Sequence, residues 1–555
     1  MKKIIYIILL CIILIMQCGS VSAGLKSDKL EITGNNYRLG TTRVLGSSGC
    51  TTPAEAIALA HAGESFRLLI NSDYAMTADA NFPVEIELDF EGGATVDPNS
   101  FTITVHNQKY AGNEQIWNIS SGSVVYADGA IPYARPEWWY SGSGTYTTAI
   151  QYALDSGNAP LRLVNTYIAG QIILDDYDII EGYGATLTLA NSTNAHFLCG
   201  TDKTGIKILG LKINGNKANQ SSNGRAIYLY GVTESLISDC YIYNTYGHGI
   251  AVGANVGTST VCQNVTIRDC TVTSSGNYGI LISGNNDSLK AWQVKVTGGS
   301  INNSTSQGIL LNEAKYCKII GVDIYSNGGN GIKVSTGSYD NIISNNYCYS
   351  NTEDGIDLSA NNTHSNNRGN LIIGNFCYGN TITGINSSTD SDFASIIGNF
   401  CYDNTVDGIS LNLANYNMCV GNYAHNNTQR GIIASGAIGS HIGQNFCYKN
   451  GEDGIQITDS AGAISKVLVS GNTSIFNSIG SYGTYNGITI SSASEDIFVI
   501  GNHCYDDSAD PNQAYGIRGL PDNGMVGAIG NSCYDNLTGA ILLGDPNFVD
   551  SNYED

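Results

Sequence analysis

The chain has 555 residues, of which 42% are hydrophobic and only 13% charged, with a formal net charge of -22. That negative excess argues against nucleic acid, whose phosphates need a basic surface, and against simple adhesion to anionic lipid. Abundant Gly (66) and Tyr (34) with scarce Pro (9) suit a long, turn-rich β structure better than a helical one.

In chain order, residues 1–23 read as an export signal. Lys2 and Lys3 precede an apolar run from Ile4 to Met16, and Val21-Ser22-Ala23 supplies the small residues of a signal-peptidase site. The run is short for a membrane span of about 20 residues, and no later segment could cross, so the expected location is secreted or cell-surface. Cys11 and Cys18 fall in this leader. The other cysteines form no CxxC pair, which speaks against zinc and leaves the metal ligands unspecified. Residues 24–135 read as a β-rich N-terminal region, with strands at Val84–Phe90 and Phe101–Val105. Residues 136–160 carry a helix whose Ala149, Ile150, Ala153 and Leu154 share one face. Rungs are expected over 161–545, then an acidic tail over 546–555.

From Gly249 on, Gly followed by Ile recurs at Gly279, Gly308, Gly331, Gly355, Gly384, Gly408, Gly431, Gly454, Gly487 and Gly516. The base spacing of 23–24 residues signals a solenoid. No LxxLxL pattern marks it as leucine-rich, and the intervening β-branched, aromatic, Gly and Asn residues predict strands and turns. Successive rungs then stack about 4.8 Å apart, so like residues form ladders.

The first predicted ladder system is inward: Ile373, Cys377 and Ile385, then Ile397, Cys401 and Ile409, then Val420, Ala424 and Ile432. Cys there alternates with Ala and Ser and behaves as a small buried apolar group with a free thiol. A second ladder, with Asn327, Asn351, Asn380, Asn404, Asn427 and Asn450, suits Asn in left-handed turns, where its amide can bond the turn of the next rung. A third, with Tyr325, Tyr349, Tyr378, Tyr402, His425 and Tyr448, should face outward. Tyr378 and Tyr402 are expected to offer a flat platform to sugar faces; the alternative is a ladder that only stabilises the sheet.

These rungs resemble the generic repeats of the pectin-lyase-like superfamily. Pro136-Glu137-Trp138-Trp139 and Thr147–Asp155 resemble the start of a pectate-lyase-superfamily domain, with Tyr146 and Thr147 where that family has two acids. The resemblance implies an all-β, right-handed parallel β-helix, a single-stranded solenoid of about 23-residue rungs with an N-terminal capping helix. It specifies fold more than activity, since this architecture carries lyases, hydrolases, epimerases, tailspikes and adhesins.

Gly247-His248-Gly249 resembles the Gly-His-Gly segment of polygalacturonases, which makes His248 a candidate substrate contact. The acids that family carries one rung earlier are missing, since Arg225 stands there. Asn351-Thr-Glu353-Asp354-Gly-Ile-Asp357 resembles another stretch of the same family. Asp407 and Asp453 follow in the Asp354 column, with Arg430 between them, and Lys333 precedes Asp357 in its own column. Asp354, Asp357 and Asp407 are therefore the candidate catalytic carboxylates, Asp354 and Asp407 being about 9.6 Å apart, near the separation for inverting glycoside hydrolysis. Lys333, Arg430 and Asp453 are candidate substrate contacts. Asp before Gly is also an ordinary turn choice, and such acids could bind Ca²⁺, although no ligand spacing specifies it. Two functions stay open: a lyase or hydrolase acting on an extracellular polysaccharide, and a non-catalytic, glycan-binding surface solenoid.

Overall fold

A computed structural model describes residues 41–543 except 48–49, 110, 158, 223, 286–287, 361–366, 492–494, 509–510 and 520–525, plus the short strands Glu31–Ile32, Tyr37–Arg38, Phe548–Asp550 and Tyr553–Glu554. The leader at 1–23 lies outside the described residues. Two compact units result. One ends at Ile131 and includes Ser156; the other comprises Pro132–Asp155 and the chain from Ala159 on.

In the second unit each rung gives one short strand to each of three parallel sheets. The first sheet has sixteen strands, from Leu161–Arg162 to Phe548–Asp550. The second has sixteen, from Thr166–Ala169 to Tyr553–Glu554, and the third has fifteen, from Ile172–Leu174 to Gly539–Leu542. In the third sheet Ile309, Ile332, Ile356, Ile385, Ile409, Ile432 and Ile455 pair in register and are fully buried. The coil is therefore a parallel β-helix with a buried aliphatic column in its interior.

The recurrent glycine ahead of these isoleucines answers to close approach. A Cβ on Gly384 would sit 2.6 Å from the Gly408 carbonyl oxygen and 3.0 Å from the Cys401 Cβ, and Gly355, Gly408 and Gly431 meet the same obstruction from the next rung. A side chain there would push the rungs apart.

Two corners are built alike, from one left-handed residue and then an inward-pointing Asn. Ser326, Ser350, Asp403, Asn426 and Lys449 carry the positive φ, while the adjoining Asn327, Asn351, Asn404, Asn427 and Asn450 are buried. This corrects the expectation that the ladder asparagines themselves are left-handed. Asn380 shows their task. Its side-chain Oδ1 accepts from the Asn351 backbone N–H and Nδ2, and its Nδ2 donates to the Cys348 backbone carbonyl and to Asn404 Oδ1, all at 3.0–3.1 Å. A second ladder, unforeseen in the sequence, runs Asn346, Asn375, Asn399, Asn422, Asn445, Asn472, Asn502 and Asn531 at the corner between the first two sheets. Buried amides that satisfy one another rung to rung keep the turns in register.

The Cys ladder points inward: Cys348, Cys377 and Cys401 pair in register, fully buried and free. Its predicted companions are displaced by one residue. Ile372, Ile396 and Cys419 are fully buried, whereas Ile373, Ile397 and Val420 lie at strand ends and are only half-buried.

The helix Thr147–Asp155 buries Ala149, Ile150, Ala153 and Leu154. Its Gln151 donates to the Ile173 carbonyl and accepts from the Ile173 N–H, both at 3.0 Å. It thereby satisfies the open edge of the third sheet, which would otherwise invite pairing with another chain. The Pro136–Trp139 turn is buried, and Glu137 accepts from the Tyr167 hydroxyl (2.7 Å) and Asn165 Nδ2 (2.9 Å).

The first unit is also a parallel coil. Phe66–Ile70 pairs in parallel with Ile86–Phe90, Tyr74–Ala75 with Val96–Asp97, and Thr102–Val105 with both Ala80–Phe82 and Ser123–Tyr126. It has its own helix, Pro53–His61, capped by Thr52.

Candidate functional site

The outer face of the third sheet collects the predicted acids. One column there consists of the residue ahead of each glycine; the next is the second residue of each strand, where Tyr228, Ala251, Leu281, Leu310, Lys333, Asp357, Asn386, Ser410, Ile433 and Gln456 pair in register. Strand alternation turns these side chains away from the coil interior, yet Asp354, Asp357, Asp407 and Asp453 are buried.

Asp357 is held by two neighbours. Lys333 Nζ lies 2.8 Å from its Oδ2, and the Ser359 hydroxyl donates to the same oxygen at 2.9 Å. The Asn386 amide lies 3.3 Å from Asp357 Oδ1 and 3.4 Å from Asp354 Oδ2, so one Nδ2 stands between the two acids. Asp354 accepts the Thr383 N–H at 2.9 Å, and its own N–H donates to Asn330 Oδ1. Burial first, and then the neighbouring Asp357 charge, push its carboxyl up to about 7.

Asp407 and Arg430 form a second group further along. The Arg430 guanidinium reaches Asp407 Oδ1 at 3.3 Å and Glu452 Oε2 at 3.1 Å. Burial raises the Asp407 carboxyl against the pull of Arg430. Asp453 accepts from the Thr489 hydroxyl and the Asn486 N–H, both at 2.7 Å, and burial lifts it to about 6. Thr383 stands between Asp354 and Asp407.

His248 lies in the Asp354 column but four rungs earlier, stacked on Tyr278 with centroids 4.8 Å apart. Burial, then the Arg225 charge, lowers it to about 3, so it is a neutral imidazole at physiological pH.

Tyr378 and Tyr402 lie on the second sheet and are not brought together with the acids. Their rings stack 4.9 Å apart at 3°, and Tyr349 and His425 extend the same stack. A parallel column, Tyr347, Phe376, Phe400 and Tyr423, stacks at 4.8–5.2 Å. Each ring lies on its neighbour's face along the column, the geometry of a ladder that stabilises the sheet.

The residues that hold the pair together, Asn330, Ser359 and Asn386, escaped the sequence reading. Asn386 sits one rung from Asp357 in its own column, and that register is the signal that could have found it. Among the described residues, no group of three or more His, Cys, Asp or Glu is arranged to hold a metal.

Comparison with known proteins bears on the fold. Residues 259–393 match the family model of the right-handed beta helix region. Among solved structures, the A-module of mannuronan C-5 epimerase AlgE6 of Azotobacter vinelandii is 15% identical, covering 74% of this chain and 96% of that one at a TM-score of 0.40. The periplasmic alginate epimerase AlgG is 15% identical over 61% of this chain and 78% of that one (TM-score 0.43). The Dettilon tailspike protein is 15% identical over 66% and 70% (TM-score 0.43). No curated protein matches the sequence. With its three parallel sheets and the matched stretch inside them, the chain is a right-handed parallel β-helix protein, the architecture that its pectin-lyase-like resemblance implied.

Proposed function

We propose that the outer face of the third sheet is a groove that binds an extracellular polysaccharide and hydrolyses it. Asp354 is the proton donor and Asp357 its charged partner. The observation that carries this is the pairing of the two carboxyls around the Asn386 amide, one lifted to about 7 by burial and the other tied to Lys333. A carboxyl that is half protonated near neutrality can protonate a leaving glycosidic oxygen. An ionised neighbour can take a proton from the attacking water or stabilise the positive sugar ring of the transition state. Asp407 with Arg430, and Asp453, lie two to four rungs beyond the pair and supply hydrogen bonds to the chain as it extends along the groove. An exported protein would meet such a polymer; among the described residues no helix is long and apolar enough to cross a membrane.

The test is purified protein against a polysaccharide panel, with and without Ca²⁺, reading reducing ends and unsaturated products separately. Hydrolysis gives reducing ends without unsaturation, and Asp354→Asn removes them. Unsaturated products would replace the reading with a lyase. Absence of turnover on every polymer, or equal turnover in Asp354→Asn, would leave a glycan-binding solenoid.

A further inference from the structure

The same groove carries a second, chemically different cluster toward its N-terminal end. Arg225 occupies the Asp354 column five rungs earlier, about 24 Å along the coil. Its guanidinium lies 3.2 Å from His196 Nε2 and over the rings of Tyr228 (5.2 Å) and Tyr230 (5.9 Å). His196 stacks on Tyr228 at 4.1 Å, and Tyr228 on Tyr230 at 4.2 Å. Burial, and then the Arg225 charge, holds His196 at about 4 and His248 at about 3, so neither histidine adds charge at neutral pH.

No carboxylate pairs with Arg225 among the described residues, and its Nε–H is buried without a hydrogen-bond partner. Asp202, whose charge reaches Tyr228, is taken up by Asn255 Nδ2 (2.8 Å) and the Thr258 hydroxyl (2.9 Å). In a chain of net charge -22, the cluster presents an uncompensated cation. The contrast with Lys333 and Arg430, both ion-paired, is direct.

The cluster is joined to the acid pair. Ala251, Leu281 and Leu310 form an apolar strip against which Tyr228, Tyr230 and Tyr278 pack. The next residues of that column are Lys333 and Asp357. Such a strip suits the CH faces of sugar rings, and an unpaired guanidinium suits a planar or tetrahedral oxyanion.

The geometry points to a second glycan subsite, formed by Arg225 with Tyr228, Tyr230 and Tyr278, that receives an anionic substituent of a chain laid along the groove. It rests on the reading of this face as a glycan groove. The anion is a uronate carboxylate or a sulfate ester, which share the oxyanion chemistry.

The experiment measures affinity by calorimetry for uronate-bearing, sulfated and neutral oligosaccharides with wild type, Arg225→Gln, Arg225→Lys and Asp354→Asn. Wild type should bind one anionic class at least tenfold tighter than neutral chains, and which class identifies the anion. Arg225→Gln should erase that preference, and Arg225→Lys, which keeps the charge but loses the fork, should retain part of it. Asp354→Asn should keep it, so a failure of the cleavage reading leaves this result standing. Equal affinity for anionic and neutral chains, or an Arg225→Gln protein that binds as wild type does, overturns the subsite. A variant-free check is salt: affinity for the anionic chain that is unchanged between about 50 and 500 mM NaCl also overturns it.

Discussion

The outer faces of the second and third sheets are built on the same rungs and carry opposite kinds of information. On the second sheet the same residue type recurs: Tyr, Tyr, Tyr, Tyr, His in one column and Tyr, Phe, Phe, Tyr beside it, each ring lying on the next. On the third sheet the column ahead of the glycines changes at every rung, through Arg225, His248, Tyr278, Gln307, Asn330, Asp354, Thr383, Asp407, Arg430 and Asp453. In a solenoid, repetition is what stacking rewards, because identical side chains complete one another. A column that declines to repeat forgoes that gain and is the place to look for chemistry.

The contrast can be broken by mutation. The largest expected effect falls on the third sheet, where Asp354→Asn should cut turnover by a hundred- to ten-thousand-fold, the usual share of a general acid, with no loss of melting temperature. Initial-rate assays paired with thermal melts check both halves. Asn380→Ala, at a repeating corner, should do the reverse. It strands the donors of Asn351 and costs about 3 kcal/mol, read as a lowered urea midpoint with per-molecule activity kept. Gly384→Ala should cost about 2 kcal/mol by forcing a Cβ against the Gly408 carbonyl.

A subtler effect is one of pH. The folded-state value of Asp354 lies above its unfolded value of 3.8, because burial penalises the charge. Its contribution to stability is therefore complete below about 4 and is lost as pH rises through about 7. Wild type should lose stability relative to Asp354→Asn across that window, and turnover should fall on the alkaline side of about 7 as the proton donor is lost. Parallel melting curves for the two proteins would show equal slopes if Asp354 were exposed. The smallest effect belongs to Tyr378→Ala, which should cost about 1 kcal/mol in lost stacking and leave glycan affinity unchanged. A variant of normal stability that no longer binds glycans would erase the distinction between the two faces.

The fold was legible where a rare marker tagged each rung. Gly-Ile supplied the period because a Cβ cannot fit there, and with the period came the columns of Asp354, Asp357, Asp407 and Lys333. The one-residue error at Ile373 arose from a short strand followed by a tight turn. There Ile372 and Ile373 look alike in sequence, and only the left-handed Gly374 decides which points in. The ladder starting at Asn346 hid in plain composition, since Asn before an aromatic reads as turn chemistry. The first unit's parallel pairing was missed for want of a tag, as Phe66–Ile70 and Ile86–Phe90 share no marker residue. In the site, charge was readable, but the neutral parts were not. Asn386 becomes visible only when register sets it beside both acids, and Arg225 was noticed only as a missing carboxylate.

Turn lengths hold one more lesson. From Leu209 on, two residues separate each first-sheet strand from its second-sheet partner, as between Ile320 and Asp323 or Ile373 and Phe376. The links that leave the third sheet vary freely, from the short step between Asn412 and Met418 to the long one between Gly253 and Thr266. One corner thus acts as a rigid spine, while extra chain accumulates beside the face that carries the acids. Lineages of such a molecule could acquire new walls, lids or specificities by loop insertion alone, with the spine keeping every strand in step.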